Sequence, residues 1–314
     1  MANYLIAMTV TGGLYTLMAL GVNLTWGLAG MVNLGLIGFF AVGAYTSALL
    51  TLRLGLPIAV GVMCGAVVAA LTGGAVALIT ARLRGDYLAI VTLGFAEAIR
   101  ISAANEIWLT NGSDGLSGIP GPYRAVLGPE LYNLVFLGIV VAVVAVAYVL
   151  AERLARAPFG RVLRAIRDDE QVAAVAGKRV IAFKVKAFAL SAGALGIAGA
   201  LYGHYNSYIA PEIFVPLFTL YIMLALLAGG RGNNRGAVLG GFVVVFLLES
   251  GRFAIPLVPG LTAVQGAALR EFLIAALLLV ILRLRPAGIL REPRLNVPIP
   301  LPDAEAMRGR QGAG

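Results

Sequence analysis

Few residues in this chain could do chemistry, and their types limit what that chemistry is. Glu97 and Arg100 lie three residues apart inside the apolar stretch "GDYLAIVTLGFAEAIRI", Gly85 to Ile101. Asp168, Asp169 and Glu170 form an acidic run directly after a basic one. His204 is the single histidine and Cys64 the single cysteine. No His/Cys/Asp/Glu cluster has metal-ligand spacing, and a lone thiol forms no internal disulfide. The one Gly-Lys step, Gly177-Lys178, runs into arginine, so the chain has no phosphate-cradling G-x-x-x-x-G-K-[ST] loop. It also lacks the series of intramembrane carboxylates that a proton relay needs. What these residues offer is pairing, packing and docking.

The elements that must carry them are membrane spans. The chain is 60% hydrophobic and 12% charged, with a mean hydropathy of +0.91. From Met1 to Ala81 the only charged side chain is Arg53. A helix needs about 20 apolar residues to cross a bilayer core, and these runs are apolar all round, whereas barrel strands alternate. The fold class is therefore all-α: a polytopic membrane helix bundle of about nine spans (eight to ten). They are predicted at about 4–27, 33–52, 57–81, 86–107, 131–151, 186–207, 214–230, 236–254 and 266–284. The start, "MANYLIAMTV", lacks a basic n-region and reads as the first span, not a removed signal.

The net charge of +9 does not indicate nucleic acid, because it lies between spans and at the end. Segment 152–186 carries nine basic residues from Arg153 to Lys186, which places it in the cytoplasm. The tail, with Arg283, Arg285, Arg291 and Arg294, is expected on the same side, four spans later. Arg82 and Arg84 then also fall inside, residues 108–130 fall outside, and the N-terminus is external. Three stretches break the helical pattern: "WGLAGMVNLG" (Trp26 to Gly35), "LTNGSDGLSGIPGP" (Leu109 to Pro122) and "GGRGNNRGAVLGG" (Gly229 to Gly241). The first and last resemble each other loosely, as either an internal repeat or two chance glycine-asparagine turns.

Each motif has a plain structural reading beside the functional one. In "PFGRVLRAIRDDEQVAAVAGKRV", Val162, Leu163 and Ile166 share a helix face, followed by the acids and then Ala173, Ala174 and Gly177. That order suits docking into another protein's groove, or else the segment is a solvated loop. Ala192/Gly196 and Gly199/Gly203 are small-xxx-small pairs, and such faces pack helix on helix. His204 reads as interfacial or packed. Glu97 and Arg100 can meet on one helix face, as part of a polar substrate path or as a structural pair facing the bundle interior. Asn23, Asn33, Tyr45, Tyr87 and Thr92 are the other polar candidates for lining that path.

"GDYLAIVTLGFAEAIRI" followed by "LTNGSDGLSGIPGP" resembles the signature of the LivM-type permeases, membrane subunits of bacterial ABC importers for branched-chain amino acids. The resemblance runs on through "FGRVLRAIRDDEQVAAVAGKRVIAFKVKAFALSAGALGIAGALYG", "GGRGNNRGAVLGG" and "LRLRPAGILRE", and so covers nearly the whole chain in order. It implies one transmembrane permease domain over 1–314, with a cytoplasmic coupling loop at 152–186 and a cytoplasmic tail at 286–314. Arg164, Asp168, Asp169, Glu170, Ala173, Ala174 and Gly177 match the segment that docks on the ATPase. The implied partners are a LivH-type permease forming a heterodimer, two ABC ATPases, a periplasmic substrate-binding protein and the lipid membrane, with no nucleic acid. The chain itself is then no enzyme and holds no cofactor, ATP and Mg being used by the ATPases. Its place is the bacterial inner membrane, as a multi-pass protein. Two departures stand out. Leu36 follows "NLG" where the family's second span carries histidine, and the Ala173-Ala174 pair lies three residues before Gly177, one short of the general importer pattern. The urea and amide branch of the family is the alternative substrate class. A self-sufficient secondary transporter or channel is the alternative of another kind.

Overall fold

Backbone that leaves water must close its own hydrogen bonds, and a single apolar run can do so only as a helix. The computed structural model describes residues 2–83, 85–124, 126–254, 263–285 and 287–293. Arg84, Arg294 and the tail beyond it lie outside the described residues. The long helices are α1 (Ala2–Val22), α2 (Leu36–Arg53), α3 (Ile58–Thr80), α4 (Asp86–Asn105), α6 (Pro129–Arg156), α9 (Val180–Asn206), α10 (Pro216–Gly229), α11 (Asn234–Ala254) and α12 (Ala263–Leu284). Each falls on one of the nine predicted spans. Among the described residues, seven helices are long and apolar enough to cross a membrane, and α11 and α12 are not among the seven. Three shorter helices complete the set: α5 (Ile107–Thr110), α7 (Pro158–Asp168) and α8 (Glu170–Val175). The only strands among the described residues, β1 (Leu116–Ser117) and β2 (Tyr208–Ile209), pair antiparallel.

The core is built around α9, which packs on α2 and α3, while α1 packs on α6, α9 and α11, and α10 on α11. Small residues make this possible. A Cβ on Gly199 would lie 1.9 Å from the Phe40 carbonyl oxygen, and one on Gly196 would lie 2.5 Å from Ala69 Cβ. The small-xxx-small stretch is thus a packing surface, the close approach that membrane helices use.

The contacts sort the molecule into two ends. At the far end, Asn3 donates to Glu130 and Tyr4 reaches Glu249. There Arg53 also donates to the carbonyls of Trp108 and Leu109 at 2.6 and 2.8 Å. His204 is buried there. Its Nδ1 lies 2.7 Å from the Pro120 carbonyl, which can only accept, so Nδ1 carries the proton. Nε2 then accepts from the Ser47 hydroxyl at 2.8 Å. The histidine is packed, and it fixes the 109–122 loop to α2 and α9. The opposite, basic end gathers the 29–35 break, α7, α8, the 230–233 turn and the tail. This alternation is the one that the basic residues of the sequence require.

Candidate functional site

The segment at the basic end begins at Pro158, whose fixed φ suits a first helical position. α7 buries Gly160, Leu163 and Ile166, a three-residue spacing that sets one face inward. It stops at Asp169, whose carboxylate accepts from the N–H groups of Gln171 and Val172 at 2.8 and 3.0 Å and so caps α8. α8 ends where Gly177 turns at φ +77° and the Lys178 N–H closes on the Ala173 carbonyl at 3.2 Å. Lys184 donates to Glu170 at 2.7 Å, fastening α8 to α9.

This geometry divides the predicted docking residues. Ala173 is buried with Ile166 and Val180 in the chain's own small core. Ala174 is exposed, between Val172 and Val175, which are 65% and 90% exposed. Of the alanine pair, only Ala174 is presented outward. Asp169 is engaged as a cap, Glu170 as an ion pair, and Arg164 turns inward to Glu292. Asp168 stays open, with a 3.4 Å contact to Arg167.

Behind α7 lies a polar knot. Val22 leads from α1 into a π-helical turn, Asn23–Leu28, a feature often found where helices serve function. Buried Asn23 donates to Asn234 at 2.9 Å and accepts from the Gly232 N–H at 2.8 Å. Asn234 in turn donates to Glu152 at 2.9 Å. Arg167 donates to the Gly27 carbonyl at 2.6 Å and to Glu292 at 2.9 Å. In the sequence Arg167 counts only among the basic residues of segment 152–186, and nothing singles out Glu292 beyond its place as an acid closing the basic "LRLRPAGILRE" run.

The path candidates do not converge. Asn23 belongs to the knot. Buried Thr92 accepts from the Leu34 N–H at 3.0 Å, tying α4 to the 29–35 break. Asn33 accepts from the Gly35 N–H at 2.8 Å, while its Nδ2 and the Tyr45 hydroxyl are buried with no partner among the described residues. Tyr87 is 72% exposed at the start of α4. Glu97 and Arg100 do pair, with Nε–O distances of 3.0 and 3.1 Å. The inward-facing expectation for them is not met: their side chains remain 37% and 30% exposed. The reason lies in α4's docking. Leu88, Ala89, Thr92, Ala96 and Ala103 meet the bundle, which leaves Tyr87, Ile90, Val91 and Ile101 on an open face beside the ion pair.

Comparison with known proteins identifies the family. The family model for the branched-chain amino acid transport system permease component matches residues 4–282. The chain belongs to this family. The chain is 33% identical over 258 residues to the high-affinity branched-chain amino acid transport system permease protein LivM of Escherichia coli, covering 75% of this chain and 61% of that protein. It is 29% identical over 323 residues to the probable LivM of Methanocaldococcus jannaschii, covering 91% and 93%. The Escherichia coli LivH permease is 25% identical over 313 residues, covering 91% of this chain and 94% of that protein. The chain spans about three fifths of the length of the bacterial LivM relatives it matches. No solved structure matches it.

Proposed function

We propose that the chain is one membrane-spanning subunit of an ABC importer for branched-chain amino acids, driven by separate ATPases. The observation that carries the reading is the family match across residues 4–282, on a chain without a phosphate-cradling loop of its own. The relatives named LivM are permease proteins of branched-chain amino acid transport. The basic end is the cytoplasmic one, in a bacterial inner membrane. α8, with Val172, Ala174 and Val175 turned outward, is the surface offered to an ATPase. The open face of α4 meets a second, LivH-type permease subunit, since an ion pair within a span is costly against lipid and requires a protein or watered neighbour. A periplasmic binding protein delivers the substrate at the far end.

Reconstitution tests this. The full set of subunits in proteoliposomes should concentrate leucine, isoleucine or valine only with ATP, and omission of the ATPases should abolish uptake. Uphill transport by this chain alone would instead make it a self-sufficient transporter.

A further inference from the structure

The tail segment after α12 lies across the basic end in close contact. Its Ile289 and Leu290 N–H groups donate to the carbonyls of Ala228 and Gly229, both at 2.9 Å. These carbonyls belong to the last turn of α10, where helices leave acceptors unsatisfied. Asn233 donates through Nδ2 to the Arg291 carbonyl at 2.9 Å. The approach is tight enough that a Cβ on Gly230 would lie 1.9 Å from the Leu290 carbonyl oxygen. Glu292 then reaches α7, where Arg164 and Arg167, one helical turn apart, share its carboxylate at 3.2 and 2.9 Å. All three side chains are mostly withdrawn from water, with 14%, 22% and 27% exposure for Arg164, Arg167 and Glu292. The guanidinium of Arg167 also holds the Gly27 carbonyl of the π-helical turn.

Toward α3 and α4, α7 makes no ion pair or side-chain hydrogen bond among the described residues. A cleft of about 430 Å³ separates Ile166 to Gln171 from Thr80 at the end of α3 and Leu88 of α4. α7 packs on α6 and on α9, where Ile166 meets Val180. Toward α3 and α4 it borders the cleft, and its charged contacts run to the Gly27 carbonyl of the π-helical turn and, through Glu292, to the tail segment bound to α10 and Asn233.

We infer that residues 287–292 are a mechanical strap, and that Glu292 is the positioning residue that makes α7 move together with the π-helical end of α1 and the α10–α11 turn. The proposal rests on the reading of α7 and α8 as the ATPase-docking segment. It adds the route by which a push there reaches particular spans. A charged cluster of this kind transmits displacement because breaking it leaves like charges uncompensated away from water. A switching element of this sort needs a physical link that biases both ends.

The test uses the complete transporter in proteoliposomes, with ATP hydrolysis, ATPase association and substrate uptake measured on the same samples. Glu292→Gln keeps the shape and removes the charge. It should leave ATPase association and hydrolysis in place and lower substrate taken up per ATP by about fivefold or more, the lower range of measured site-to-site couplings. Asn233→Asp keeps the oxygen that accepts from the Arg235 and Gly236 N–H groups and loses the donor to the Arg291 carbonyl. It therefore loosens the strap at its other end, where the backbone bonds to Ala228 and Gly229 remain. It should lower the same ratio. In a background with Cys64→Ala, cysteines at Glu292 and Arg167 joined by a bifunctional thiol reagent should restore the ratio lost before cross-linking. An unchanged ratio in both Glu292→Gln and Asn233→Asp overturns the strap. So does loss of ATPase association in step with uptake, which would make Glu292 a support of the docking surface alone. Ala174→Trp separates the underlying reading: if it keeps ATPase association, docking lies elsewhere, whereas a failed strap leaves the Ala174→Trp defect intact.

Discussion

At the scale of single residues, two charges in an apolar helix need a reason. Glu97 and Arg100 supply half of it to each other, through contacts on the same helix face. Their surroundings within this chain do not supply the rest, because the pair stays over 30% exposed on the glutamate side. A lone charge near the bilayer centre costs on the order of 3 kcal/mol on insertion scales. Glu97→Ala strips Arg100 of its partner and should reduce the amount of folded, membrane-inserted protein, measured by detergent-solubilised size-exclusion yield. The double change Glu97→Gln with Arg100→Gln removes both charges and should be milder than the single one. Equal yields and equal uptake for single and double variants would mean that the pair faces bulk water, and the interface assigned to α4 would have to move. Spacing in the sequence shows that these two residues can meet. It does not show which way the pair faces, because that depends on which side of α4 docks on α2.

At the scale of elements, α8 is six residues long and owes its form to local chemistry: an aspartate cap, an ion pair to α9, and a glycine turn. Of its alanine pair, Ala173 is packed inward and Ala174 is exposed. Ala174→Trp should therefore leave insertion intact and abolish ATPase association and uptake together. Gln171→Trp, also exposed, should do much less. Co-purification of the ATPases with each variant decides the matter, and retention of both activities in Ala174→Trp removes α8 from the docking surface. Small size and helical register mark the alanine pair in the sequence. Which of the two is presented follows only from the packing of Ile166 and Val180 around Ala173.

At the scale of the whole molecule, the helices alternate between a far end and a basic end without exception among the described contacts. Ser117 sits in β1 at the far end and Gln171 in α8 at the basic end, both exposed. In a Cys64→Ala background, single cysteines at these positions should react with an impermeant thiol reagent from opposite faces of oriented vesicles. Reaction of both from one face would refute the arrangement, and with it the cytoplasmic assignment of the tail strap.

What is local in this protein is legible in its residues. Runs of about 20 apolar residues specify spans because a backbone in lipid has to satisfy itself within the segment, and the basic residues between them specify which ends lie together. The glycine faces of α9 belong to the same class, since they follow from residues within one or two turns. Contacts made across the chain emerge from the packing of the helices. Asn23 meets Asn234 at a separation of 211 residues, and Arg167 meets Glu292 at 125. No periodicity records such pairs, because each is created when helices with several possible neighbours settle on one packing arrangement. The exposure of Glu97 and Arg100 has the same origin: Leu88, Ala89, Thr92, Ala96 and Ala103 form the face of α4 that the bundle accepts, and the charges are left on the other.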